Sequence, residues 1–215
     1  MGLEIENTSF TEQDFSNFSN RLRSNIKALE SLLARPDFGE GELSFGAELE
    51  LYIVDPEGRP LYLNQEIIAE LNDPQLTLEL NRYNLEYNFS PVLLKDSCFS
   101  KTEIEAQAAI DKVNACAAQW NGSVVPVGIL PTLEQSDIGY HAMTKLGRFE
   151  ALTKELTDIR GGPFTIAIEG DETLQLAMDD VTLEGANTSF QVHLRVPPKE
   201  FADFYNAVQL VTPLV

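Results

Sequence analysis

The stretch SFGAELELYIVD, Ser44 to Asp55, decides how this chain folds. Its apolar and polar residues alternate, and side chains two residues apart on a β-strand point to the same face. One face is apolar and consists of Leu43, Phe45, Ala47, Leu49, Leu51 and Ile53. The other face carries Ser44, Gly46, Glu48, Glu50 and Tyr52. We therefore expect a strand with one buried face and two carboxylates about 6 to 7 Å apart on the opposite face.

Two later segments repeat this pattern of an apolar face backed by polar groups. They are LTLELNRYNLEYNFSP, residues 76–91, and NTSFQVHLRV, residues 187–196. A break near Arg82 divides the first of them into two strands. Together with the first strand, their polar faces present Glu48, Glu50, Glu79, Glu86, Asn88, Gln191 and His193.

Helix signals separate these strands. Thr11 followed by Asp14 is typical of a helix start, and apolar residues recur at helical spacing to about Arg35. Ser100–Lys101–Thr102–Glu103 fits a capping box that opens a second long helix. Further elements are expected as helices at 65–71, 145–159 and 200–211, and as strands at 123–131, 164–170 and 173–178.

The order of these elements indicates the fold class. Strands seldom alternate singly with helices, and several strands are half polar with a period of two. This favours an α+β fold with an antiparallel or mixed sheet that is covered on one face. We expect a single domain over residues 1–215, in which residues 1–40 form a helical extension.

Composition excludes several classes of partner. The formal net charge is −19, so a nucleic acid or an anionic membrane would be repelled. The N-terminus lacks a basic and apolar leader, and no apolar run is long enough to span a bilayer, so we expect a cytoplasmic protein. Cys98 and Cys116 are too few for a disulfide scaffold.

The grouped acidic residues point to cation binding. Carboxylates gathered without counter-ions repel one another, and Mg²⁺ or Mn²⁺ prefers oxygen ligands with some nitrogen tolerated. Strands also hold ligands more rigidly than loops do. The alternative is an acidic sheet face that is open to solvent and has only a structural role.

Several motifs resemble the glutamate–cysteine ligase family, in the branch of bacterial carboxylate–amine ligases. They are FGAELELYIVDPEGRP, LEYNFSP, VVPVGILPT, Gly147–Arg148–Phe149 and TSFQVHLRV, and they occur in family order. The resemblance implies a glutamine-synthetase-like fold with a curved, mostly antiparallel sheet and flanking helices. Relatives in this family have a longer catalytic domain, so we expect the chain to be either the N-terminal portion of such a ligase or a genuinely short gene product.

The resemblance further implies an activity and a set of site residues. In this family ATP phosphorylates a γ-carboxylate, and an amine such as cysteine attacks the acyl phosphate to form a γ-glutamyl amide. The implied ligands of Mg²⁺ or Mn²⁺ are Glu48, Glu50, Glu79, Glu86 and His193. The residues implied to contact ATP or substrate are Asn88, Arg148 and Gln191. One alternative is a non-catalytic module that keeps the sheet and binds a metal or a small ligand.

Overall fold

A computed structural model describes residues 4–214 of the chain, which form α-helices and two antiparallel sheets. The α-helices are α1 Glu12–Leu33, α2 Asn64–Leu71, α3 Cys98–Ala117, α4 Gly147–Arg160 and α5 Phe201–Val211. The strands are β1 Ser44–Val54, β2 Leu76–Leu78, β3 Asn84–Asn88, β4 Val92–Leu93, β5 Ser123–Val125, β6 Phe164–Glu169, β7 Thr173–Met178 and β8 Phe190–Arg195.

Strand β1 is the centre of the main sheet. It pairs antiparallel with β3 and β4 along one edge and with β5 and β8 along the other, and β2 extends the sheet beyond β3. Strands β6 and β7 form a separate antiparallel hairpin. The expected α+β class with antiparallel pairing is confirmed.

The alternation in β1 builds the core. Phe45, Ala47, Leu49, Leu51 and Ile53 are all buried, as the sequence predicts. Ala47, Leu49, Leu51 and Ile53 belong to a hydrophobic core that α2 and α3 cover, and Phe45 borders it. The opposite face is polar as far as Glu50, and then Tyr52 joins a second apolar cluster.

Three boundaries differ from the sequence-based expectation. Strand β2 ends at Leu78, so Glu79 follows the strand instead of lying in it. Strand β5 ends at Val125, because Pro126 has no N–H to continue a ladder. The capping box predicted at Ser100 is wrong, since α3 begins at Cys98 and Ser97 occupies the cap position without a side-chain bond.

Helix α1 begins as predicted. The Thr11 side chain accepts a hydrogen bond from the Asp14 N–H, and the Asp14 carboxylate accepts one from the Thr11 N–H. No residue of α1 is buried against the described residues 4–214, and the same holds for α5. The apolar side of β8 is also exposed, through Phe190, Val192 and Leu194.

Two further expectations concern the cysteines and the membrane. Cys98 and Cys116 are buried free thiols. Across residues 4–214, none of the helices combines the length and the apolar character that a bilayer-spanning segment needs.

Replacing Leu51 with alanine tests the central role of β1. Leu51 is fully buried, so Leu51→Ala is expected to lower the free energy of unfolding by about 2 to 5 kcal/mol. Urea denaturation measures this loss. Leu174→Ala is the matched control, because Leu174 is 43% exposed and its truncation leaves a smaller void. Equal losses in the two variants would contradict the proposed core.

Candidate functional site

Three glutamates meet on the polar face of the sheet. Glu50 lies on β1, Glu86 lies on β3 and Glu79 follows β2, and one carboxylate oxygen from each lies within 4.8 Å of the others. Strand register causes this meeting, because Glu50 is the antiparallel partner of Glu86. We call Glu50, Glu79 and Glu86 the carboxylate cluster.

Neighbouring amide and hydroxyl groups orient two of these carboxylates. Glu50 accepts hydrogen bonds from the Ser189 N–H at 2.8 Å and from Gln191 Nε2 at 3.0 Å. Glu86 Oε1 accepts from Thr77 Oγ1 and from Asn88 Nδ2, both at 2.8 Å. Gln191 and Asn88 therefore hold carboxylates in place, and their contact with ATP or substrate, which the resemblance implies, stays a prediction.

Burial and mutual repulsion destabilise the ionised form of the carboxylate cluster. Burial, and after it the nearby Glu86 and Glu50 carboxylates, raise the pKa of Glu79 to about 7. Burial also raises the pKa of Glu50, against hydrogen bonds from Ser189 and Gln191 that lower it. A bound cation would relieve this repulsion.

The other two predicted metal ligands form a separate pair. His193 Nε2 lies 3.2 Å from Glu48 Oε2, on the same sheet face as Glu50. Neither Glu48 nor His193 belongs to the carboxylate cluster, in which ligand atoms of the described residues lie within 4.8 Å of one another. The five predicted ligands thus divide into the carboxylate cluster and a neighbouring Glu48–His193 pair.

Arg148 lies beside the cluster, at the wall of a cavity of about 340 Å³. Its Nη2 donates to the Leu78 carbonyl at 3.1 Å, and its guanidinium lies 4.6 Å from the centre of the Phe149 ring. The cavity is lined by Thr77, Leu78, Glu79, Glu86, Arg148, Phe149 and Leu152. A guanidinium and two carboxylates therefore face one space.

A second, small cavity contains residues that the sequence reasoning missed. It has a volume of about 40 Å³ and is lined by Glu50, Glu79, Asn84, Glu184, Gly185, Asn187 and Thr188. Asn84 shares the alternation of Glu86 and Asn88, so the pattern in β3 contained a signal for it. Glu184 and Asn187 lie outside any strand, where no periodicity marks them.

Buried polar contacts fix the segment 182–189 that closes this small cavity. Asn81 Nδ2 donates to the Thr182 carbonyl at 2.9 Å and to Tyr83 Oη at 2.8 Å. Tyr52 Oη donates to the Ala186 carbonyl, and the Tyr52 ring stacks on Tyr83. The segment therefore depends on a buried network beneath the cluster.

Comparison of the chain with protein-family models, with curated proteins and with solved structures found no match.

Glu79→Gln tests the electrostatic cost of the cluster. The folded-state pKa of about 7 lies above the ordinary value of 4.5, so the folded chain retains the proton between these pH values. The wild type is expected to lose up to about 3 kcal/mol of stability relative to Glu79→Gln as pH rises from 4.5 to 8. Calorimetric melting at several pH values measures the difference.

The exposed turn residue Glu57 supplies the control for this prediction. Glu57→Gln removes the same formal charge without touching the cluster, so its melting temperature should follow the wild type across the pH range. A pH-independent difference between wild type and Glu79→Gln would contradict the electrostatic explanation.

Gly185→Ala tests the attachment of segment 182–189. An added Cβ would lie 2.7 Å from Asn81 Nδ2, and Asn81 is fully buried and hydrogen-bonded, so it cannot swing away. We expect a loss of about 1 to 3 kcal/mol in the free energy of unfolding. Gly162→Ala is the control, because a Cβ there meets nothing within 4 Å. A neutral Gly185→Ala would show that the segment is loosely attached.

Proposed function

We propose that this protein is an ATP-dependent carboxylate–amine ligase of the glutamate–cysteine ligase type, with a glutamine-synthetase-like sheet and Mg²⁺ or Mn²⁺ as its metal. The observation that carries the proposal is the convergence of Glu50, Glu79 and Glu86 beside a cavity that also contains Arg148. Four of the five motifs that resemble the family contribute a residue to this arrangement or to the hydrogen bonds around it, namely Glu50, Glu86, Arg148 and Gln191.

The carboxylate cluster fits a hard divalent cation. All three side chains offer oxygen, which Mg²⁺ and Mn²⁺ prefer. Mg²⁺–oxygen distances are about 2.1 Å, so among three oxygens on one octahedral ion adjacent ones lie roughly 3.0 Å apart and at most one opposite pair lies roughly 4.2 Å apart. Carboxylate oxygens already within 4.8 Å of one another approach this spacing. Small side-chain rotations would complete it.

The protein residues have separate tasks in the proposed reaction. Glu50, Glu79 and Glu86 would hold the cation, which when bound would offset charge on the phosphates of ATP and on a carboxylate substrate. Gln191 and Asn88 orient the carboxylates through the hydrogen bonds described above. The Glu48–His193 pair lies on the same face and would contribute to metal binding there.

Arg148 has the charge and position to bind an anionic substrate group. Its guanidinium lines the larger cavity together with Glu79 and Glu86, while Phe149 and Leu152 supply apolar walls. Guanidinium groups suit planar carboxylates and phosphates because they donate several hydrogen bonds in a fixed geometry. A phosphoryl group or a carboxylate would therefore lie between Arg148 and the carboxylate cluster.

The proposed chemistry needs no nucleophilic side chain. A substrate carboxylate oxygen forms a bond to the γ-phosphorus of ATP, and the bond to ADP breaks. The nitrogen of an amine then attacks the acyl carbon, inorganic phosphate leaves and the nitrogen loses a proton. The protein contributes by positioning the reactants and by stabilising charge.

Metal binding and ADP release test the proposal together. Mn²⁺ is expected to bind the protein in an electron paramagnetic resonance titration, and Glu50→Gln combined with Glu86→Gln should raise the Kd at least about 100-fold. Mutation of a residue that only hydrogen-bonds to a metal ligand already lowers metal affinity 10- to 100-fold. ADP release is measured on the native protein with glutamate and a panel of amines.

The exposed residue Glu66 on α2 provides the control, since Glu66→Gln should leave Mn²⁺ binding unchanged. Failure of the wild type to bind Mn²⁺ would contradict the metal site. If the protein binds Mn²⁺ but releases no ADP with any of the amines, the result would contradict the ligase function and favour the alternative of a non-catalytic binding module.

A further inference from the structure

The small cavity next to the carboxylate cluster has a distinct chemical character. Glu79 lines both this cavity and the larger one, whereas Glu184, Asn187 and Thr188 line only the small one of these two. Three carboxylate residues, Glu50, Glu79 and Glu184, therefore border a volume of about 40 Å³. None of the described residues that line it is a lysine or an arginine.

Asn84 gives an independent indication that a ligand belongs in this cavity. It is 2% exposed, and within residues 4–214 neither its Oδ1 nor its Nδ2 has a hydrogen-bond partner. Its position opposite Tyr52, in the same alternation as Glu86, directs the side chain to the polar face of the sheet. A buried amide without partners costs about 1 to 3 kcal/mol, so a polar group that reaches it would be favoured.

Charge selects among the small polar ligands of this cavity. A water molecule would satisfy Asn84 but would leave the carboxylate of Glu184, which is not one of the proposed metal ligands, without an offsetting charge in the cavity. A cation with N–H donors offsets that charge and donates to the amide oxygen of Asn84 at once. Glu184 lies outside the group of converging carboxylates, so the arrangement around Glu184 suits hydrogen bonds better than direct metal ligation.

Volume limits the size of that cation. A buried water molecule needs roughly 10 to 15 Å³ of such space, so about 40 Å³ accommodates an ammonium nitrogen and the carbon attached to it. A quaternary ammonium group is too large and offers no N–H donor. The cavity therefore discriminates by both shape and hydrogen bonding.

We propose that the cavity lined by Glu50, Glu79, Asn84 and Glu184 binds the primary ammonium group of a substrate. The proposal deepens the ligase function and rests on it. Two substrates can supply such a group, namely the carboxylate substrate through its own α-ammonium and the attacking amine. Their shared chemistry is a primary ammonium beside the carboxylate cluster.

A binding experiment tests this without catalysis. The protein is labelled with ¹⁵N-asparagine, and the side-chain NH₂ signals of Asn84 are followed during titration with methylammonium chloride. Saturable shifts are expected with methylammonium and none with tetramethylammonium at the same ionic strength. Absence of a saturable methylammonium shift, or equal shifts with both ions, would overturn the proposal.

Glu184→Gln is the decisive variant, because it keeps the side-chain shape and removes the charge at an exposed position. Loss of one charge-assisted hydrogen bond should raise the methylammonium Kd about tenfold. Glu169→Gln is the matched control, since Glu169 is exposed on the hairpin and lines neither cavity. Equal Kd values in the two variants would overturn the proposal.

Competition identifies the source of the ammonium group. If L-glutamate blocks methylammonium binding and glutarate, which lacks the amine, does not, the cavity receives the α-ammonium of the carboxylate substrate. If methylammonium still binds in the presence of saturating glutamate, the cavity receives the attacking amine. Methylammonium binding without ADP release would support the ammonium site and contradict the ligase function. ADP release without methylammonium binding would support the ligase function and contradict the ammonium site.

Discussion

The pairing register of β1 with β3 and β8 is the constraint on which the whole site depends. A slip of one residue in a strand moves every side chain to the opposite face. Such a slip would push Glu50 or Glu86 into the core that α2 and α3 cover, and apolar residues would replace them on the polar face. The core and the carboxylate cluster are thus consequences of one set of backbone hydrogen bonds.

Sequence periodicity predicts the parts of the site that strands control. The faces of Glu50 and Glu86 follow from alternation alone, as do the buried positions of Leu49 and Leu51. Glu79 enters the cluster from just beyond the end of β2, and the small cavity is closed by segment 182–189. Their positions depend on chain turns and on buried contacts between distant residues, which no local period encodes. The capping box predicted at Ser100 is wrong for a similar reason, since the local motif does not encode the earlier start of α3 at Cys98.

The site combines a rigid frame with unfavourable charge. Hydrogen bonds from Ser189, Gln191, Thr77 and Asn88 fix the carboxylates of Glu50 and Glu86 before any ligand arrives. Burial, and after it the closeness of the carboxylates, makes ionisation costly, as the raised pKa of Glu79 indicates. Preorganisation of this kind stores electrostatic free energy in the fold, and binding of the proposed cation would release it.

The exposed apolar sides of α1, α5 and β8 have a consequence for the protein in solution. Contiguous apolar patches promote self-association, whereas a formal charge of −19 keeps molecules apart through long-range repulsion. Repulsion weakens as the Debye length shrinks, from about 10 Å at 0.1 M salt to about 3 Å at 1 M. We therefore expect self-association of this chain to increase with ionic strength.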